Sequence, residues 1–241
     1  MSRSGIILTM QGLLLVDKPS GWTSFDCVNY VRRIVAKAEG KKPKNCKVGH
    51  TGTLDPLATG LLILLVGKDY TRRAGELTKL DKTYEVTMKL GETSTTADGE
   101  GTKTAVSSAQ PPLAAVESAL ATFTGELMQT PPIFSAMKIG GQRAYKLARA
   151  AEVGGTEAPV MEARPCLIYS NTLTSYEYPF VKFTSRVGSG TYIRSLVEDL
   201  GRELGTGAYM SDLRRTQIAT YDVAEAHAVD DPELMRYLFP L

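Results

Sequence analysis

One aspartate stands out because of the residues around it. Asp55 lies in the segment GHTGTLDPLATG at 49–60, with His50 just upstream and Pro56 directly after it. The proline biases Asp55 towards an extended backbone, and the three glycines of the segment allow a tight path close to a ligand. A carboxylate held in this way can act as a nucleophile or a general base, but it can also only cap a turn or a helix that begins near Leu57.

The sequence gives little support for metal, disulfide or nucleotide chemistry. The three cysteines are isolated, with no C-x-x-C spacing, and the two histidines, His50 and His227, are far apart in the chain. Gly67 and Lys68 are followed by Asp69 instead of the serine or threonine of a phosphate-binding loop. We therefore expect metal-free chemistry and no nucleotide hydrolysis.

Composition indicates an ordinary globular chain of 241 residues with a net charge of +2. Positive charge is concentrated at 32–47 and again at 138–149. Such clusters are typical of surfaces that contact a phosphate backbone, although they also keep ordinary helices soluble. The longest apolar run, LLILLV at 61–66, is far shorter than a membrane span, and the N-terminus lacks the apolar core of a secretory signal. We expect a cytoplasmic protein without a membrane partner.

The elements that must position Asp55 can be predicted from periodicity. An apolar strand, LLLV, ends at the turn Lys18–Gly21, and a helix follows with Thr23 or Ser24 as its N-cap. KTYEVTMKLG at 82–91 alternates as a half-buried strand with Tyr84 on its apolar face. Further strands are expected from 166, before a helix in TYIRSLVEDLGREL.

Two intervening segments have a different character. The polar stretch 92–110 predicts a long loop or a loose hairpin, and a helix should begin at Pro111 and Pro112. Residues 130–158 combine prolines, a glycine pair and a basic, helix-forming piece, which indicates an insertion that closes over something. The irregular order of strands and helices predicts an α+β domain with a largely antiparallel mixed sheet flanked by helices and loops.

Five motifs in this order resemble those of the bacterial tRNA pseudouridine synthases of the TruB type: GLLLVDKP, GHTGTLDPLATGLL, KTYEVTMKLG, GTYIRSLVEDLG and LRRTQ. The resemblance covers residues 12 to about 221. It implies a pseudouridine synthase fold and an enzyme that isomerises the uridine at position 55, in the T loop of tRNA, without cofactor or metal. It further implies a monomer that contacts the T-arm stem-loop, with one catalytic domain over 1–241 and the 130–158 insertion clamping the RNA.

The same resemblance assigns roles to individual residues. It makes Asp55 the nucleophile, Arg194 the cation that pairs with it and Tyr84 the ring that stacks on the target base. The remaining implied substrate contacts are His50, which reaches the RNA near the flipped base, Tyr192, which contacts the nucleotide, and Leu213, which forms part of the pocket wall.

Taken singly, these residues have ordinary alternatives. Tyr84 fits a plain core position, His50 a hydrogen-bonded loop position, and Arg194 a surface position at a helix start. A cation at the positive end of a helix is nevertheless unfavourable without a nearby anion, which favours a partner such as Asp55 or a phosphate.

Three departures from the family pattern bear on binding. Ser189 stands where many relatives have lysine, with Arg186 as a possible replacement, and LRRTQIATY lacks the usual arginine-serine-glycine run. Only about twenty acidic-rich residues follow that motif, so we expect no C-terminal PUA domain and a weaker, more salt-sensitive affinity for tRNA. The rival functions are a non-catalytic tRNA-binding or folding chaperone and an enzyme that modifies another RNA stem-loop.

Overall fold

The computed structural model describes residues 10–135, 137–154 and 159–241. The chain forms two compact units: the first contains the residues up to Leu80 together with Arg214–Leu241, and the second contains Asp81–Leu213. The expectation of a single catalytic domain over 1–241 stays a prediction.

The helices and strands follow one another irregularly along the chain. The strands are β1 (Gly12–Lys18), β2 (Val48–His50), β3 (Thr59–Val66), β4 (Lys82–Leu90), β5 (Glu92–Ser94), β6 (Lys103–Ala105), β7 (Gly125–Gln129), β8 (Lys138–Ile139), β9 (Gln142–Arg143), β10 (Arg164–Glu177), β11 (Phe180–Val187), β12 (Ala208–Ile218), β13 (Tyr221–Asp222) and β14 (His227–Ala228). The α-helices are α1 (Ser24–Ala38), α2 (Lys68–Arg72), α3 (Ala74–Thr78), α4 (Leu113–Thr122), α5 (Ala144–Glu152) and α6 (Ile193–Glu203).

The first unit is built on two apolar strands. β1 and β3 pair antiparallel from Gly12 opposite Val66 to Lys18 opposite Gly60. β14 lies parallel beside β1, β2 antiparallel to β3, and the C-terminal part of β12 parallel to β3. The apolar side chains of β1 and β3 contribute to two separate clusters, one shared with α1 and the other with Leu77 and Ile218. Because both faces are covered, these strands are apolar runs instead of alternating ones.

Helix α1 begins where the sequence predicts. Thr23 is the N-cap: its side chain accepts a hydrogen bond from the Asp26 backbone nitrogen at 3.1 Å, and the Asp26 carboxylate accepts one from the Thr23 backbone nitrogen at 2.9 Å. Such a capping box satisfies two backbone donors of the first turn. Ser24, the other candidate cap, is instead the first helical residue, and its side chain is buried.

The second unit is an antiparallel sheet with helices against it. Its strand order is β12, β4, β11, β10, β7, and Tyr84 on β4 lies opposite Ser185 on β11. The predicted alternation of β4 is confirmed, because Tyr84, Val86, Met88 and Leu90 are all buried. The segment predicted as a loop or loose hairpin forms the short hairpin of β5 and β6.

The segment 130–158 contains the expected basic helix. Strands β8 and β9 pair as a small hairpin, with Lys138 opposite Arg143, and α5 follows. Residues 136 and 155–158 lie outside the described residues, and the clamping role stays a prediction. The mixture of mainly antiparallel strands with flanking helices confirms the α+β class. In the described part of the chain, no helix is long and apolar enough to span a membrane.

Candidate active site

Asp55 lies in a turn that leads into β3. The Ala58 backbone nitrogen donates to the Asp55 carbonyl at 3.1 Å, and β3 begins at Thr59. No helix starts near Leu57 in this described segment, so the helix-cap alternative for Asp55 is wrong. The Asp55 residue itself is half-buried, and its backbone is held in a turn.

A buried lysine holds the C-terminal side of this turn. Lys18 is fully buried, and its ammonium group donates to the carbonyls of Pro19 at 2.9 Å, Trp22 at 2.6 Å and Pro56 at 3.2 Å. The Gly21 backbone nitrogen donates to the same Pro56 carbonyl at 2.9 Å. Three carbonyl dipoles compensate the desolvation of the charge. Lys18 therefore fixes the peptide unit that directly follows Asp55.

A serine holds the N-terminal side of the Asp55 turn. The buried Ser24 hydroxyl accepts from the Leu54 backbone nitrogen at 2.8 Å and lies 3.1 Å from the Leu54 carbonyl, to which it donates. Leu54 precedes Asp55, so both neighbours of the aspartate are tied to the segment between β1 and α1. These two attachments fix the backbone on both sides of Asp55 through contacts that do not involve its carboxylate.

His50 stands at the end of β2 with a defined tautomer. Its Nδ1 accepts from the Gly52 backbone nitrogen at 3.3 Å, so the neutral ring carries its proton on Nε2. Burial, and secondarily the nearby Arg215 guanidinium, lower the pKa of the imidazole below its ordinary value. At neutral pH His50 is thus an uncharged ring with an Nε2–H donor.

Two arginines of the LRRTQ motif contact β1 and the segment around Asp55. Arg215 is almost completely buried and donates to the carbonyls of Leu61 at 2.7 Å and Gly52 at 3.2 Å. Arg214 forms a bidentate ion pair with Asp17, with distances of 3.0 and 2.7 Å. Gly60 is required beside this pair: its φ is +98°, and a Cβ there would lie 2.3 Å from the Arg215 carbonyl oxygen. The contacts of these two arginines were not predicted from the sequence.

In the second unit, Arg194 lies in the first turn of α6 and is only 6% exposed. Its guanidinium donates to the carbonyls of Phe134 at 2.9 Å and Thr96 at 3.2 Å, and it pairs with the Asp98 carboxylate at 3.6 Å. The alternative of a surface position for Arg194 is therefore wrong. Asp98 is an anion near this helix start, whereas the partners expected there were Asp55 or a phosphate.

Asp98 was not among the predicted site residues, although it has a well-defined setting. It is 2% exposed and accepts hydrogen bonds from the Thr96 hydroxyl and from the Glu100 backbone nitrogen, the latter at 3.0 Å. Ala97 beside it has a φ of +61°, which is uncommon for a residue with a side chain. The only signal in the sequence was an acidic residue in a run of turn formers, TTADGEG.

Three further predicted residues lie in the second unit. The backbone of Tyr192, which caps α6, exchanges two hydrogen bonds with the buried side chain of Gln129, at 2.8 and 3.0 Å. Tyr84 is buried on the apolar face of β4, and Leu213 is buried on β12. Both the core and the binding interpretation of Tyr84 agree with this burial.

The structure therefore groups the predicted residues in two sets. Asp55 and His50 belong to the first unit, whereas Tyr84, Tyr192, Arg194 and Leu213 belong to the second. The expected pairing of Arg194 with Asp55 stays a prediction. Within the described residues, no group of three or more His, Cys, Asp or Glu side chains is arranged to hold a metal ion.

Comparison with known proteins places this geometry in a family. Residues 38–193 match the model of the TruB family pseudouridylate synthase N-terminal domain, and residues 194–239 match that of the tRNA pseudouridylate synthase B C-terminal domain. A tRNA pseudouridine synthase B of Thermobifida fusca is 42% identical over 91% of this chain and 73% of its own length. The enzyme of the same name from Chloroherpeton thalassium is 38% identical over 96% of this chain and 92% of its own length.

Solved structures agree with these matches. A chain in the "Crystal Structure of a Cbf5-Nop10-Gar1 Complex" has a TM-score of 0.67 and 27% identity, covering 96% of this chain and 57% of that one. The chain in the archaeal box H/ACA sRNP Nop10-Cbf5 complex has a TM-score of 0.65 and 26% identity, covering 98% and 56%. The expected pseudouridine synthase fold is thus confirmed, and the chain belongs to the TruB family of pseudouridylate synthases.

Proposed function

We propose that this protein is a tRNA pseudouridine synthase that isomerises the uridine at position 55 of the T loop, with Asp55 as the nucleophile. The observation that carries the proposal is the attachment of both neighbours of Asp55, Leu54 through Ser24 and Pro56 through Lys18. A carboxylate whose backbone is fixed on either side is preorganised for attack or proton transfer. The names of the relatives, tRNA pseudouridine synthase B, support the choice of substrate.

The reaction exchanges one bond of the ribose for another. The bond between ribose C1′ and uracil N1 breaks, the detached base rotates, and C5 then bonds to C1′ while the proton on C5 is lost and N1 gains one. Asp55 can hold the ribose as an acylal at C1′, remove a ribose proton to give a glycal, or attack C6 of the base. All three routes require the carboxylate to be ionised.

The other residues have supporting roles in this proposal. Tyr84 stacks on the uracil, which must be retained between detachment and reattachment. Arg194 supplies the positive charge that keeps Asp55 ionised in a pocket without water, where desolvation alone would raise the carboxylate's pKa. The contacts of Arg194 with Phe134, Thr96 and Asp98 fix its guanidinium in the second unit.

The remaining substrate contacts follow from the same assignment. His50 offers its Nε2–H to the RNA, Tyr192 contacts the nucleotide, and Leu213 forms part of the pocket wall. A neutral imidazole donor suits this position because it needs no change of protonation state near neutral pH.

Exposed basic side chains give the RNA backbone a place to bind. One group of exposed basic residues, in the 32–47 cluster of the first unit, consists of Arg33, Lys37, Lys41, Lys42, Lys44 and Lys47. A second group, in the 138–149 cluster of the second unit, consists of Lys138, Arg143, Lys146 and Arg149. We propose that both groups contact phosphates of the T arm, which makes binding steeply dependent on salt concentration.

Pseudouridine mapping tests the proposal. An unmodified tRNA transcript is incubated with the native protein, with Asp55→Ala, or with Asp69→Ala, and then treated with carbodiimide and copied by primer extension. Asp69 is a matched control, an aspartate of the same unit whose ion pair with Arg72 is exposed on the surface. We expect a stop at the T-loop uridine with the native protein and Asp69→Ala, and none with Asp55→Ala.

Two results would contradict the proposal. A fully active Asp55→Ala protein would exclude the nucleophile. If native protein binds the transcript but produces no stop, the result would favour a tRNA-folding chaperone or another RNA target.

A further inference from the structure

A separate cavity of about 350 Å³ lies entirely within the first unit. Its lining residues are Leu15, Tyr221, Glu225, His227, Tyr237 and Phe239. None of them belongs to the predicted site, and their number and size suit a small ligand. Four of the six carry an aromatic ring, so aromatic side chains form most of the cavity wall.

The backbone holds these walls in place. Phe239 exchanges two backbone hydrogen bonds with Leu13, at 2.8 and 3.1 Å. Tyr221 is paired with Ile218 in the β12–β13 ladder, and His227 with Val16 in the β1–β14 ladder. These backbone pairings fix the lining residues, so little ordering is needed on binding.

The four aromatic rings of the cavity wall form two neighbouring pairs. The His227 and Tyr237 rings stack with centroids 3.4 Å apart and planes 7° apart, and the Tyr221 and Phe239 rings are tilted by 41° at 6.3 Å. Tyr237 is 40% exposed, so the stacked pair reaches the solvent. This leaves an open, aromatic-walled cavity with one carboxylate, that of Glu225, among its lining residues.

Charge identifies the kind of ligand. Residues 221–241 contain five acidic residues and one basic residue, Arg236, which pairs with Glu233. Glu225 is exposed, and among the described residues no cation pairs with it. A phosphate-bearing nucleotide is repelled by such a surface, whereas a cation is attracted both by the carboxylate and by the negative faces of the rings.

We propose that this cavity binds a small organic cation through an alkylammonium group, with the faces of Tyr221, Tyr237 and Phe239 around the group and Glu225 beside it. Aromatic walls combined with one acidic group are the features by which proteins recognise quaternary ammonium ions. This site is distinct from the residues assigned to the isomerisation, and its test does not depend on that activity.

Titration of the full chain, followed by aromatic NMR resonances and calorimetry, tests the proposal with choline as the cationic probe. Its neutral isostere 3,3-dimethylbutan-1-ol has the same shape without the charge. We expect choline to bind at least ~10-fold more tightly than the alcohol, and to shift the ring resonances of Tyr221, Tyr237 and Phe239. Spermidine and uridine are titrated in parallel, to compare an extended polyamine and an uncharged nucleoside.

Variants then locate the binding. Tyr221→Leu should weaken choline binding by ~10-fold or more, and Glu225→Gln by ~2- to 5-fold. Asp230→Asn removes an exposed acid of the same segment that does not line the cavity, and it should leave the affinity unchanged. Circular dichroism of each variant verifies that the fold is retained.

Four outcomes would overturn the proposal. These are equal affinity for choline and the alcohol, tighter binding of uridine than of choline, absence of choline binding at millimolar concentration, and unchanged affinity in the correctly folded Tyr221→Leu protein. Tighter binding of spermidine than of choline, with the same resonances shifted, would support the proposal and assign a polyamine as the source of the ammonium group.

Discussion

The ion pair between Arg194 and Asp98 allows a quantitative prediction for the variant Asp98→Asn. Both side chains are less than one-tenth exposed, and they lie 3.6 Å apart within the second unit. The substitution keeps the shape of the side chain and an oxygen that can accept from Thr96 and Glu100, but it removes the negative charge. Arg194 would then keep its two carbonyl partners and lose its ion pair with Asp98.

The expected effect follows from burial. Removing one partner of a buried ion pair reduces the free energy of unfolding by about 3–5 kcal/mol, because the remaining buried charge loses a compensating partner. The retained amide oxygen and the two carbonyls place this variant near the lower limit, about 3 kcal/mol. For a chain of this size each kcal/mol lowers the melting temperature by about 2–4 °C, so we expect a decrease of roughly 6–12 °C.

Urea unfolding and calorimetry of four proteins measure the effect: native, Asp98→Asn, Arg194→Met and the double variant. The double-mutant cycle isolates the interaction between the two side chains from their other contacts. Asp199→Asn serves as the control because its partner on the same helix, Arg202 at 2.7 Å, has a side chain that is 75% exposed; we expect a loss of at most about 0.5 kcal/mol.

Activity provides a second measurement. A displaced Arg194 should lower the single-turnover rate of Asp98→Asn while tRNA binding is retained. Two results together would refute the destabilisation expected from the buried charge. These are a melting temperature of Asp98→Asn within about 2 °C of the native value and a coupling energy between Asp98 and Arg194 near zero.

Three further predictions concern the first unit. Lys18→Met removes three hydrogen bonds to carbonyls, so it should lower the free energy of unfolding by about 3 kcal/mol. It should also reduce kcat by a larger factor than it changes KM. An unchanged urea unfolding curve would contradict this prediction. Gly60→Ala should destabilise the protein strongly, because a Cβ there would lie 2.3 Å from a backbone oxygen and the residue has a φ of +98°. Gly40→Ala, whose Cβ would have nothing within 4 Å, should lower the free energy of unfolding by only about 1–2 kcal/mol. Equal losses for the two variants in thermal unfolding would refute the steric argument. Since the pKa of His50 is lowered on folding, the unfolded chain binds more protons below about pH 6.5, and stability should decline as the pH falls through that range. An NMR titration midpoint for His50 above 6.5, or an equally steep decline in His50→Asn, would contradict that sign.

Local patterns in the sequence were sufficient where a short segment decides the structure. The alternation of β4, the capping of α1 by Thr23 and the helix after Tyr192 all depend on neighbours within a few residues. The family resemblance added a candidate nucleophile for which the residues alone left several roles open. These parts of the fold were therefore predictable, and the role of Asp55 stays a prediction.

The contacts that support the site could not be predicted from the sequence, because they join segments that are distant in the chain. Asp98 and Arg194 are separated by nearly a hundred positions in the chain, and no periodicity connects them. Arg215 binds the carbonyls of Gly52 and Leu61 from the far end of the sequence. The helix expected as one alternative near Leu57 is replaced by a turn, because β3 begins at Thr59 and pairs with β1 from Gly60 to Val66. Tertiary pairing, not local preference, decides these positions.

The attachments of Asp55 also determine how its loop can open. Its neighbours bond to Ser24 and Lys18, which belong to α1 and β1, and these elements form the core of the first unit. The Leu54 amide should consequently exchange with deuterium at the slow rate of the unit's interior, although it lies in a loop. Since this segment does not have to become ordered when RNA arrives, the free energy of RNA binding remains available for extruding the uridine from the T loop.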